Sequence, residues 1–117
     1  MSDLDAALDA LRGHPGVEHV LVLGSDGLLI QHAGTGALDA ETVSAMVPGL
    51  ASAASALGSA SGLGAADTVV VRLEAGVALA TVLSGDVLLA VLLREGVGFA
   101  PLLRDLSARR PALAALV

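Results

Sequence analysis

The residues able to do chemistry are few and scattered. His14, His19 and His32 are the three imidazoles. Counted back from the Gly24-Ser25-Asp26-Gly27 turn, His19 and His32 fall nearly opposite one another on adjacent strands, which could start a metal site with Glu18 or Glu41 as oxygen ligand. Alternation sends Glu18 to the other face from His19, so a third ligand is missing, and two neighbouring surface histidines are the expectation. No serine lies in a G-x-S-x-G elbow or is placed with a histidine and an acid. Gly34-Thr35-Gly36 and Gly62-Leu63-Gly64 lack the Gly-Lys-Ser/Thr of a phosphate cradle and read as loops. Asp3 and Asp5 suit the positive end of a helix, not a general acid and base. The expectation is a protein that is no enzyme and takes no cofactor and no metal.

The elements that carry these residues are easier to read. A first helix is capped by Asp3 or Ser2, carries Leu4, Ala7, Leu8 and Leu11 at helical spacing, and stops at Gly13. Val17 to Leu23 reads as a strand, Asp26-Gly27 as its hairpin turn, and Leu28 to Ala33 as the returning strand. A second helix opens at Asp39 or Leu38 and runs to about Gly62. Asp67 to Glu74, Val77 to Leu83 and Val87 to Arg94 form an antiparallel meander joined by tight turns. The last two of these are apolar on both faces and demand cover above and below. A final helix carries Phe99, Leu102, Leu103 and Leu106 on one side; Arg109-Arg110-Pro111 is expected to interrupt it, leaving the tail as a short turn.

Composition bounds the function. The chain has 117 residues, room for one domain spanning 1–117, and is 55% apolar with a mean hydropathy of +0.81. The longest unbroken apolar run, Val87 to Leu93, has seven residues, far short of the roughly 20 that cross a bilayer. The amino terminus is acidic and unlike a signal peptide, and with no Cys there is no disulfide framework. A cytoplasmic location is expected. Twelve acids against six arginines, without lysine, give a net charge of −6, which attracts neither nucleic acid nor an anionic membrane. The Ala, Gly, Leu, Val and Arg bias suits a GC-rich bacterial genome.

The second helix is the most informative element. On a helical wheel, Val43, Met46, Val47, Leu50, Ala54 and Leu57 form one apolar stripe, expected to lie on the sheet. Ala45, Gly49, Ala53, Ala56 and Ala60 form a second ridge with nothing larger than a methyl group. Glu41, Ser44, Pro48, Ser52, Ser55 and Ser59 occupy a polar arc. A small-residue ridge lets two helix axes approach closely, so it is expected to meet its copy in a homodimer. Val69, Val71 and Leu73, on an edge strand that would otherwise invite aggregation, are expected to join that interface. Pro48 should bend the helix away from the polar arc, or else the regular helix begins only near Ala45.

Taken together, PGVEHVLVLGSDGLLIQHAG, the small-residue helix, DTVVVRLEAGVALATVLSGDVLLAVLL and GVGFAPLLRDL resemble the roadblock / dynein light chain family over nearly the whole chain. The resemblance implies an α/β/α sandwich with a five-stranded antiparallel sheet of order 2-1-5-4-3. The second helix would cover one face, and the first and last helices the other. It also implies dimerisation through the second helix and third strand. Bacterial MglB-like members bind small Ras-like GTPases, usually on the paired-helix face, and can stimulate hydrolysis without an arginine finger. Mapped here, the GTPase-facing surface would be Ser44, Pro48, Ser52, Ser55 and Ser59. Pro48 is unusual for the family, and the polar carboxy-terminal extension of MglB-like regulators is not in this sequence.

Overall fold

In the computed structural model, which describes residues 2–117, eight elements follow in the order α1 (Asp3–Arg12), β1 (Val17–Gly24), β2 (Leu29–Gly34), α2 (Ala40–Ser61), β3 (Thr68–Leu73), β4 (Gly76–Val82), β5 (Val87–Arg94) and α3 (Ala100–Ala115). The strands form one antiparallel sheet of order β2-β1-β5-β4-β3. This is the α/β/α roadblock-like arrangement and strand order expected.

Local chemistry sets the helix ends. Ser2 caps α1: its hydroxyl accepts from the Asp5 N–H, and the Asp5 carboxylate accepts from the Ser2 N–H, a reciprocal capping box. Asp39 caps α2 by accepting from the Thr42 N–H at 3.2 Å. Gly62 ends α2 in the left-handed conformation, φ 75°, where glycine carries no Cβ penalty.

Side-chain alternation divides the core between the two faces of the sheet. Val20, Val22, Leu79, Leu89 and Val91 pack with Leu8 and Leu11 of α1 and Leu102, Leu106 and Leu113 of α3. The opposite faces of the same strands contribute Leu21, Leu23, Ala80, Leu88 and Ala90, covered by Val47 of α2. The cover above and below that β4 and β5 require is therefore present.

One expectation needs correction. α3 runs unbroken through Arg109-Arg110-Pro111 to Ala115. Proline removes one helical hydrogen bond, but burial of Leu113, 2% exposed, and the ties of Arg110 described below hold the last turns in place. α2, as read from its Asp39 cap, runs through Pro48 from Ala40 to Ser61, so the alternative start near Ala45 does not apply.

Candidate functional site: the half-covered face of the sheet

α2 lies on the sheet through a different face from the one its large apolar residues suggested. Ser44 and Val47 are buried, and Ala40, Val43, Pro48, Ala51, Ala54, Ser55 and Gly58 are half-buried. The helix is turned by roughly 70° from the expected orientation, at about 100° per residue. The cause is the surface beneath it: Ala80 and Ala90 at the sheet centre accept a close approach, which small residues permit. Met46 and Leu57, expected against the sheet, stand 69% and 70% exposed, with Leu50 at 39%.

That rotation redistributes the predicted site residues. Ala45, Gly49, Ala53, Ala56 and Ala60 are all exposed, along the outward side of α2. Ser52 and Ser59 are exposed as expected. Ser44 is not: it is fully buried, and among the described residues its hydroxyl has no hydrogen-bond partner. Pro48 and Ser55 are half-buried, and Ser55 accepts from the Ala66 N–H at 3.1 Å. The outward polar arc therefore contracts to Glu41, Ser52 and Ser59, because Ser44, Pro48 and Ser55 turn toward the sheet.

Val69, Val71 and Leu73 belong to the edge strand β3, which among the described residues pairs only with β4. Val69 and Val71 are half-buried, and Leu73 is 60% exposed. Between α2 and the far half of the sheet lies an apolar groove of about 300 Å³, lined by Val43, Met46, Leu50, Leu73, Ala78 and Leu92 among others. By length and composition α2 is apolar enough to cross a membrane, with a mean hydropathy of 1.3. It lies flat on the sheet instead, with a bare apolar flank beside this groove.

The histidines serve packing. His19 Nδ1 and His32 Nε2 are 3.0 Å apart, one donating to the other. His19 faces Gly34 across the ladder, and a Cβ on Gly34 would sit 2.1 Å from His19 Nδ1, so glycine there makes room for the ring. Burial, and then the neighbouring charge of His32, hold the His19 imidazole below its ordinary value of 6.5. Among the described residues no third His, Asp or Glu joins the pair.

His14 Nε2 lies 2.7 Å from Asp105 Oδ2, and the same carboxylate accepts from Arg109 Nε at 2.8 Å. The hydrogen bond with His14, foremost, holds the Asp105 carboxyl below its usual range. The group ties the α1–β1 turn to α3. Among the described residues no hydroxyl bonds to His14 that it could activate.

Arg110 was not singled out by its sequence position. Its Nη2 donates to Thr81 Oγ1 at 3.0 Å and to Thr68 Oγ1 at 3.4 Å, and it pairs with the Asp67 carboxylate. The signal that hid it was Pro111, which reads as a break where the helix continues.

The geometry is that of a sheet with one face closed by two helices and the other only partly covered by one. Residues 3–93 match the Roadblock/LC7 domain family. No curated protein matches the chain significantly. Among solved structures, a Roadblock/LC7 domain from Streptomyces avermitilis is 26% identical with a TM-score of 0.80, covering 96% of this chain and 98% of that one. MglB of Myxococcus xanthus superposes with a TM-score of 0.86 at 17% identity, covering 98% and 94%. MglC of the same organism gives 0.76 at 16%, covering 99% and 100%. The last two likenesses speak for the fold. With 91 of its residues matched in one stretch, from 3 to 93 inclusive, the chain belongs to the Roadblock/LC7 domain family.

Proposed function

We propose that this protein is a non-enzymatic homodimer that regulates or scaffolds a small Ras-like GTPase in the cytoplasm. The observation that carries the dimer is the bare apolar flank of α2, Met46, Leu50 and Leu57, running beside Leu73 and an open groove. A monomer rarely exposes so continuous an apolar surface. A second copy, related by a two-fold axis, would cover it with its own flank and pair β3 with β3, closing an open edge. The contact then centres on Met46, Leu50, Ala53 and Leu57 with Val69, Val71 and Leu73.

The small ridge Ala45, Gly49, Ala56 and Ala60, with Ser52 and Ser59, is left as the outward platform for the GTPase. Membership of the roadblock family, and fold similarity to MglB, support a partner of that class. A platform without long side chains suits close docking of a rigid partner.

Two measurements test this reading. Light scattering should give a dimer mass at micromolar concentration. A candidate GTPase, loaded with GDP or a non-hydrolysable GTP analogue, should bind in one state and not the other; absence of binding in both removes the GTPase. A dimer that binds no candidate GTPase in either nucleotide state would favour the alternative, a structural module that assembles with itself or a paralogous subunit.

A further inference from the structure

Leu28 and Ile30 are 69% and 51% exposed at the start of β2. Alternation does not force this. β1 pairs Leu23 with Leu29 and Val22 with Gln31, so Ile30 is the extra residue of a β-bulge. In unbroken register Ile30 would oppose Val22, on the face that α1 and α3 cover. The bulge turns the isoleucine out and sets a half-buried glutamine in its place, against the ordinary preference for burial.

The segment is held rigidly in that arrangement. The Gly24 N–H donates to the Leu28 carbonyl at 2.9 Å, the Ser25 N–H to the Asp86 carbonyl at 2.8 Å, and the Leu28 N–H to Asp26 Oδ1 at 3.0 Å. Gly27 has φ +86°, and a Cβ there would lie 3.2 Å from the Ala45 Cα, so the hairpin tip abuts α2. Leu28 opens onto a hollow of about 510 Å³ lined also by Gly27, Leu29, Glu41 and Ala45. An apolar anchor site fixed in advance loses little freedom when filled.

Charge around it has one sign. Asp26, Asp39, Glu41 and Asp86 are exposed on the hairpin, the opening of α2 and the β4–β5 turn. No arginine occurs between Gly13 and Val71, and Arg12, Arg109 and Arg110 are engaged by Asp9, Asp105 and Asp67. We infer that this hairpin shoulder is a second protein-docking surface, for a partner segment presenting adjacent apolar side chains flanked by Arg or Lys. The acidic rim complements such a segment and repels anionic lipid and nucleic acid. β2 lies at the opposite edge of the sheet from β3, so the surface stays open when β3 is paired, and the inference needs neither the dimer nor the GTPase.

The test titrates the ¹⁵N-labelled full chain with a synthetic peptide of alternating Arg-Leu-Ile-Arg character. Controls replace Arg by Glu in one peptide and Leu-Ile by Ser-Ser in another, and add phosphatidylcholine/phosphatidylglycerol vesicles. Amide shifts should concentrate at Asp26–Gln31 and Glu41–Ala45 and saturate below about 1 mM. Binding should weaken several-fold at high salt, and both control peptides should fail. Leu28→Ser with Ile30→Ser should lower the affinity about tenfold or more while leaving the spectrum folded. Glu41→Gln with Asp26→Asn, which keeps the turn hydrogen bond, should weaken binding at low salt only. The inference is overturned by no saturable binding, by shifts confined to α2 beyond Ala45 or to β3, or by equal binding of the Leu28/Ile30 variant. It is also overturned if vesicles alone move the same amides, or if that variant changes the oligomeric state, which would make the shoulder a self-contact.

Discussion

On the α1/α3 side of the sheet Leu8, Leu11, Val20, Val22 and Leu89 are fully buried, whereas on the α2 side Met46, Leu57 and Leu73 stand 69%, 70% and 60% exposed. The strands are the same; the cover differs. Two helices lie on the first face and one on the second. α2 touches all five strands, so it lies across them, and a helix about 10 Å wide cannot cover strands roughly 25 Å long. One face is closed, and the other is left open, where the proposed association would take place.

The sharpest way to break that contrast is to cut into the closed face. Leu89→Ala should cost about 2–5 kcal/mol of unfolding free energy, since two covering helices cannot collapse into the cavity. Denaturant unfolding at fixed protein concentration checks this, and a loss under about 1 kcal/mol would mean the closed face is looser than its burial implies. Leu57→Arg, on the open face, should leave protomer stability within about 0.5 kcal/mol but convert the proposed dimer to monomer in light scattering. Ala53→Arg should act in the same direction, because an unpaired guanidinium buried in the contact costs several kcal/mol. If neither changes the mass, the contact lies elsewhere.

A smaller effect is expected where the closed face is tied to the α1–β1 turn. Asp105→Asn removes the charge that His14 and Arg109 share, and should cost about 1 kcal/mol or less for a partly exposed pair. The wild-type contribution is complete above the ordinary carboxyl range near 3.8 and disappears as pH falls through the lowered folded-state value, so the variant should show less acid sensitivity. The smallest effect concerns His19. Its folded-state value lies below 6.5, so the unfolded chain binds the proton first. Stability is complete above pH 6.5 and declines as pH falls toward the folded-state value. His19→Gln should flatten thermal unfolding across that window; an unchanged slope would locate the titration in another group.

The sequence made the strands legible because period-two alternation and glycine-containing turns are local signals, whereas their order in the sheet was implied by the family resemblance alone. The orientation of α2 was not local. Its wheel shows where the large apolar residues are, and these normally mark the buried side. Here Ala80 and Ala90 beneath the helix favour a close approach by Ser44, Val47 and Ala51, and the large residues are left out. The polar arc was misread for the same reason: Ser44 is small enough to be buried, and a wheel that scores hydroxyls as outward cannot register that. The run through Pro111 depends on contacts with β3 and β4 that are distant in sequence. The exposed Ile30 depends on a bulge, which changes the parity of a strand without altering its composition.

Arg110 reaches from the last helix to Asp67, Thr68 and Thr81, at the beginning of the outermost strand and the end of its neighbour. It acts as a guy-rope from one layer to the margin of another. Any event that tightens or shifts that margin, such as the arrival of a second sheet, will be felt in the carboxy-terminal helix directly, without first disturbing the greasy interior.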